Sequence, residues 1–245
     1  MTVNREGTIS TLPPMGLLHG FLFFGAGALL LGLATRLVIP AVSDGTAMEP
    51  VVAWFLVGGM LVFLPILITG LFLLRRESRA SAARLWSDRL RFRRMNRTDW
   101  AWGIGALIVI ALLTGLIQVL MGLFLDDPNL HPPFMAFEPL APGRYWILGA
   151  WLPFWVLNIM GEEIVWRGVI LPRQEVALGD YAWMANAGGW LIFHVAFGWQ
   201  LLLLLTPIIV VLPYVAQKRK NSWIAVLIHG GLNGPAFVAI SLGLM

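Results

Sequence analysis

The side chains in this sequence that could do chemistry lie inside apolar runs of its C-terminal half. Of the seven glutamates, only Glu162 and Glu163 fall within such a run, where the other deep polar residues are Arg167, His194 and His229. An ionisable side chain in the membrane interior costs roughly 3 kcal/mol or more, so these residues are functional candidates by default. Carboxylates and imidazoles are groups that general acid–base catalysis uses.

The spacing of these residues indicates which of them can pair. Glu163 and Arg167 stand at positions i and i+4 of one helix, where opposite charges face each other and make burial tolerable. Glu162 lies about 100° around the same helix and is left for another partner. His229 and Asn233 are also four residues apart and share one helical face.

The residue types leave two chemistries open. Glu162, His194 and His229 could serve without a metal, or they could be alternative zinc ligands, because two histidines and a glutamate form a known catalytic zinc set. Other hydrolytic sets are excluded, since the chain has no cysteine, no H-E-x-x-H, no G-x-S and no aspartate within a predicted span.

The composition places these residues in a membrane. Of 245 residues, 58% are hydrophobic and only 12% are charged, with a mean hydropathy of +0.79, whereas soluble domains have about 25% charged residues. Backbone groups in lipid must bond within the chain, and no alternating strand pattern is present, so the spans must be helical. We expect an all-α integral membrane protein, a single polytopic domain with a bundle of about seven transmembrane helices. The predicted spans cover residues about 16–40, 51–74, 101–125, 145–171, 181–198, 200–216 and 221–245.

Lysine and arginine are unevenly distributed between the predicted loops. Nine of the seventeen lie within 75–97, and Arg5, Arg173 and the run 218–220 fall on the same side, whereas the opposite loops carry only Arg144. The positive-inside rule therefore predicts a multi-pass cell-membrane protein with a cytoplasmic N-terminus and an external C-terminus. These clusters suit an anionic membrane surface, so the lipid bilayer is an expected partner and nucleic acid is not.

Two predicted connections have distinct compositions. The basic cytoplasmic segment 75–99 mixes arginines with Leu85, Leu90 and Phe92, which predicts an amphipathic helix on the membrane surface with snorkelling arginine side chains. The loop 126–144 contains five prolines and cannot be helical throughout, so it should form an outward-facing connection.

The polar residues resemble the motifs of the CPBP family, which includes CAAX prenyl proteases, bacteriocin-processing enzymes and Abi proteins. The family motifs are E-E-x-x-x-R, F-x-x-x-H and H-x-x-x-N, and they correspond here to Glu162-Glu163 with Arg167, Trp190 with His194, and His229 with Asn233. The resemblance covers catalytic core spans over residues 145–235, while the N-terminal spans over 16–125 carry no family motif. Trp190 departs from the family's usual phenylalanine, and we expect altered packing there.

The resemblance implies an intramembrane endopeptidase that acts on a membrane-associated protein or peptide. For the family, this means prenylated tails in eukaryotes and peptide or sorting-signal processing in bacteria. Glu162 would be the general base that activates water together with His194. His229 and Asn233 would stabilise the oxyanion of the tetrahedral intermediate, and no metal or other cofactor would be needed.

The supporting roles and the competing functions follow from the same residues. Glu163, Arg167 and Trp190 would support the structure of the site. At 1.5 Å per residue from the inner helix ends, the four catalytic candidates lie roughly 12 to 20 Å into the membrane, so they can meet. The alternatives are a non-proteolytic membrane scaffold or immunity factor and, with less support, a proton-coupled transporter.

Overall fold

The computed structural model describes residues 12–80, 86–128, 130–135 and 137–244, and this part of the chain is helical with no strand. The all-α fold class is therefore confirmed. The prediction for Arg5 and the contributions of Arg84 and Leu85 to the basic segment lie outside the described residues. The helices are α1 (Leu17–Thr46), α2 (Pro50–Glu77), α3 (Trp86–Arg89), α4 (Arg97–Phe124), α5 (Trp146–Glu163), α6 (Leu171–Leu178), α7 (Ala182–Phe193), α8 (Trp199–Arg219) and α9 (Ser222–Ser241).

Five helices of the described residues are long and apolar enough to cross a membrane, namely α1, α2, α4, α8 and α9. They correspond to the first, second, third, sixth and seventh predicted spans, and they make the chain a multi-pass membrane protein. The remaining two predicted spans contain Glu162 and His194, while the other two catalytic candidates, His229 and Asn233, lie on α9. These two spans differ from simple transmembrane helices in ways that matter for the site.

The fourth predicted span does not end as an α-helix. Helix α5 passes into a π-helical turn over Ile164–Ile170 and then into α6. Pro172, at the start of α6, has no N–H to donate to a carbonyl of the preceding turn. The carbonyl of Gly168 in that turn instead accepts a 2.7 Å hydrogen bond from Nη1 of Arg89. Such π turns inside helices occur often at functional sites.

The fifth predicted span, over 181–198, is a shorter element in the structure. Helix α7 has 12 residues, which rise about 18 Å and do not cross a hydrocarbon core of about 30 Å. His194 follows its last residue, and a turn of 3-10 helix over Val195–Phe197 leads to Gly198, whose φ of 87° suits glycine. His194 therefore lies at the end of a helix, where the chain reverses.

The single amphipathic helix predicted over 75–99 is wrong. In the described part of this segment, the helix that contains α2 continues to residue 80. The four-residue α3 comes later, and the backbone from there to the start of α4 is irregular. Leu90 is buried against Leu74 and Val169, so its apolar side chain faces the protein. Arg89 donates a 2.6 Å hydrogen bond from Nε to Glu77. Arg89 and Arg91 therefore pair within the protein, because carboxylates of neighbouring elements stand within reach.

The proline-rich loop 126–144 folds back over the bundle. Its described residues contain one short turn of 3-10 helix, Pro133–Met135, as its prolines predict. Phe134 is buried and stacks on Trp54 of α2 with ring centroids 4.5 Å apart. The Leu140 N–H donates to the Ser241 carbonyl at the end of α9. The loop is thus fixed against two helices.

Aromatic packing fixes α5 and α7 relative to α1. Trp166, in the π turn, stacks on Phe24 of α1 at 4.3 Å between ring centroids and meets Phe193 of α7 edge-on. Phe24 lies so close to Gly189 that any Cβ there would come within 2.2 Å of its ring. These contacts place α5 and α7, two of the three motif-bearing helices, side by side.

Candidate active site

Glu162 is held by two indole groups. Its Oε2 accepts a 2.7 Å hydrogen bond from Nε1 of Trp190 on α7 and a 3.1 Å hydrogen bond from Nε1 of Trp166, one turn further along its own helix. The residue is only 2% exposed. Two donors on one oxygen fix the orientation of the carboxylate and leave Oε1 as the oxygen that these indoles do not engage.

Glu163 and Arg167 form the buried pair that their spacing predicts. Nη1 of Arg167 donates to Oε1 of Glu163 at 3.0 Å, and both side chains are fully buried. The Arg167 guanidinium also lies 3.8 Å above the ring of Trp190, a cation–π contact. Oε1 of Glu163 in addition lies 2.8 Å from Nδ1 of His229. Glu163 therefore contacts the catalytic candidate His229 directly. The supporting structural role predicted for Glu163 did not include this contact.

The hydrogen bonds of the two histidines define which ring nitrogens are available. Nδ1 of His194 lies 2.9 Å from the backbone carbonyl of Trp190. A carbonyl can only accept, so Nδ1 carries the proton and Nε2 is the nitrogen left for other partners. By the same argument Nδ1 of His229 donates to the Glu163 carboxylate, and its Nε2 is available. A partner that fixes one ring nitrogen in this way orients the other.

Small residues of α9 bring His229 and Asn233 close to α5. Gly230 and Gly234 pack on the indole of Trp155, and a Cβ on Gly230 would lie 3.1 Å from its Cζ2 atom. The two helices therefore approach each other closely at these glycines. Asn233 itself is exposed.

One cavity of about 430 Å³ collects the candidates, since Glu162, His194, His229 and Asn233 all line it. The remaining lining is mostly aromatic and aliphatic. Asn158, one helical turn before Glu162, is buried and also lines the cavity, with its Oδ1 lacking a hydrogen-bond partner. Asn158 and Trp166 are not among the site residues that the sequence motifs predict. Each lies four residues from Glu162 along the chain, and this spacing indicates that their side chains share a helical face with Glu162.

A zinc ion bound by Glu162, His194 and His229 would need the three side chains to converge on one point. The described residues contain no group of three or more His, Asp or Glu side chains that could hold a metal ion. Oε2 of Glu162 already accepts two indole N–H groups. The zinc set of Glu162, His194 and His229 stays a prediction, as does the site without a metal.

The fold and the cavity define a multi-pass α-helical membrane protein with a polar, carboxylate-bearing site among its helices. Residues 144–234 match the family model described as "Rce1-like: Type II CAAX prenyl endopeptidase Rce1-like". The match covers less than half of the chain, and over these residues it confirms the resemblance to the CAAX-protease family. It implies protease activity on a peptide substrate in a membrane context. No curated protein and no solved structure matches the chain.

Proposed function

We propose that this protein is an intramembrane endopeptidase in which Glu162 acts as the general base. The observation that carries the proposal is the common cavity, which Glu162, His194, His229 and Asn233 line together. Among the described residues that line the cavity, Glu162 supplies the carboxylate, and the match to a type II CAAX prenyl endopeptidase family spans all four positions. The substrate is a peptide segment of a membrane-associated protein.

In the proposed reaction, a water molecule binds between Glu162 and Nε2 of His194. Glu162 takes a proton from this water as the water oxygen attacks the carbonyl carbon of the scissile peptide bond. The bond from carbon to nitrogen then breaks, and the proton on Glu162 passes to the leaving amine. The orientation of the carboxylate by Trp166 and Trp190 supports this role, because a base must point at the proton that it abstracts.

The oxyanion of the tetrahedral intermediate would accept hydrogen bonds from Asn233 and from Nε2 of His229. His229 would donate from Nε2 when both of its ring nitrogens carry hydrogen, while Nδ1 donates to the Glu163 carboxylate. Removing one oxyanion donor of this kind lowers kcat by roughly 100- to 1000-fold in other proteases. We expect a loss of this order in Asn233→Ala.

The experiment that tests the proposal is mass spectrometry of new peptide termini in membranes of the host. Wild type, Glu162→Gln and the matched control Glu138→Gln, whose side chain is exposed in the outer loop, are expressed at equal levels. We expect termini with wild type and the control that disappear with Glu162→Gln. Identical termini in all three would contradict proteolysis and move the assignment to a scaffold. Unchanged cleavage after chelation would support the mechanism without a metal.

A further inference from the structure

We infer that this protein takes its substrate from the side of the membrane opposite to its arginine-rich face. The inference rests on the proposed protease function. The substrate class is an apolar peptide segment of a membrane-anchored or exported polypeptide, presented at the non-cytoplasmic boundary of the membrane. A prenylated tail presented from the cytoplasm does not have access to a cavity that opens in this direction.

Ion pairs close the arginine-rich face. Glu77 of α2 pairs with Arg89 at 2.6 Å and with Arg173 of α6 at 2.5 Å. Glu175 of α6 pairs with Arg91 at 2.6 Å. The glutamate and arginine side chains of these pairs are at most 20% exposed, so the pairs fill the space between the helix ends.

Further pairs extend this layer to the remaining helices. Asp99 at the start of α4 binds Arg219 at the end of α8 at 2.8 Å. Asn221, which caps α9, donates to Asp99 and to the carbonyl of Arg93. Lys220 adds a second contact to Glu175. The ends of α2, α4, α6, α8 and α9 on this face are therefore tied together by charged and polar contacts.

A packed layer separates the ion pairs from the catalytic candidates. Asn186 of α7 and Gln174 of α6 are both fully buried and share a 2.9 Å hydrogen bond. Asn186 also donates to the carbonyl of Trp166, whose indole holds Glu162. Trp166 and Val169 are themselves inaccessible to solvent. Close packing of this kind leaves no path for a peptide.

The cavity extends from Glu162 towards the other face. It is lined by Trp54 near the start of α2, Gln118 near the end of α4, Leu201 near the start of α8 and Ile240 near the end of α9. Each of these residues lies in the half of its helix that joins the sparsely charged loops. Residues 130–132, 134 and 135 of the outer loop also line the cavity. The entrance is therefore on the face with few basic residues.

The cavity also reaches the side of the bundle between α4 and α9. Towards the arginine-rich face these helices touch, with Leu227 against Gly103 and Leu107 against Gly231. Further along, Ala111 of α4 and Asn233 of α9 both line the cavity and are both exposed. A polypeptide that is already anchored in the bilayer can enter here without leaving the membrane.

The lining selects for an apolar segment. Among the described residues that line the cavity, the ionisable side chains are Glu162, His131, His194 and His229, and none is a lysine, an arginine or an aspartate. Desolvating a charged peptide side chain in such a lining is costly without a partner. Because basic loops stay on the cytoplasmic side, the entrance faces the outside of the cell.

The test uses the absence of cysteine from the chain. Single-cysteine variants Gln118→Cys, in the cavity wall, and Ser87→Cys, exposed in the arginine-rich segment, are treated with a membrane-impermeant charged thiol reagent. Right-side-out and inside-out vesicles are compared, and Met60→Cys, exposed on the surface of α2, serves as the control for reagent leaking into lipid. Ile240→Cys probes the opposite cavity wall if the first variant fails to fold.

We expect the thiol at position 118 to react in right-side-out vesicles and the thiol at position 87 to react only in inside-out vesicles. Reaction of both thiols from one side, or no reaction at position 118 or 240 from outside, would overturn the inference. Labelling does not require proteolysis. A failure of the protease proposal would instead show as correct labelling together with termini that do not depend on Glu162.

Discussion

The indole of Trp190 donates a 2.7 Å hydrogen bond to Oε2 of Glu162, and this bond joins α7 to α5 at the wall of the cavity. The related family commonly has phenylalanine at this motif position, which cannot donate a hydrogen bond. The size of Trp190 predicts only altered packing. Its hydrogen bond gives it a second role. It makes the orientation of the proposed base depend on a donor from a second helix.

Replacing this donor should slow the chemical step. In Trp190→Phe the ring still packs in the cavity, but Glu162 keeps only the bond from Trp166. A hydrogen bond to a charged group contributes about 1.5 to 3 kcal/mol, so we expect kcat to fall roughly 10- to 100-fold with little change in KM. Steady-state kinetics on the cleaved segment found by terminal mapping would measure this. Trp183→Phe on the same helix is the control, and an unchanged kcat in Trp190→Phe would refute the positioning role.

Removing Arg167 should destabilise the fold. Its guanidinium neutralises Glu163 at a site where both side chains are fully buried. Breaking such a pair by removing one partner costs about 3 to 5 kcal/mol, because the other charge stays buried. Unfolding of Arg167→Met in detergent would measure the loss. The double variant Glu163→Gln with Arg167→Met should recover part of it, and equal stability of Arg167→Met and wild type would contradict the prediction.

The contact between α9 and α5 should be sensitive to an added methyl group at Gly230. In Gly230→Ala the new Cβ lies 3.1 Å from Cζ2 of Trp155, so the indole or α9 must give by a few tenths of an ångström. A shift of α9 carries His229 and Asn233 with it, and we expect a lower kcat in a folded protein, because misplaced catalytic groups slow the reaction. Gly105→Ala, where a Cβ meets open space, should keep full activity. Trp155→Phe in the Gly230→Ala background should restore part of the rate, and full activity of Gly230→Ala alone would argue against this geometry.

The ion pair of Glu175 should make stability depend on acid pH. Burial raises the pKa of Glu175, but hydrogen bonds and charges from Arg91 and Lys220 outweigh it and lower the pKa below the ordinary value of 4.5. A group with a lowered folded-state pKa stabilises the fold above its unfolded-state pKa, and it loses this contribution as the pH falls through the folded-state value. At neutral pH the free energy of unfolding of wild type should exceed that of Glu175→Gln by roughly 1 to 3 kcal/mol.

Unfolding measured between pH 7 and pH 3 would test this dependence. The difference in the free energy of unfolding between wild type and Glu175→Gln should shrink below about pH 4.5. Glu138→Gln, whose side chain is exposed in the loop 126–144, serves as the matched control. A difference between wild type and Glu175→Gln that is constant over the whole range would contradict the assigned ion pair.

Several features followed from the sequence because they depend on near neighbours along the chain. Hydropathy over about 20 residues predicted the spans of α1, α2, α4, α8 and α9. The helical repeat predicted the pairing of Glu163 with Arg167 and the shared face of His229 and Asn233. The order and spacing of the three motifs indicated the protease family, which the match over residues 144–234 confirms.

Other features depended on how helices pack, which no local pattern encodes. The bond from Trp190 to Glu162 joins residues 28 positions apart, and the contact of His229 with Glu163 joins residues 66 positions apart. Tertiary contacts also decided that α7 ends before it crosses the membrane and that Arg89 pairs with Glu77. The direction in which the cavity opens follows from where packed side chains fill the bundle, because a cavity is the space that distant parts of the chain leave between them.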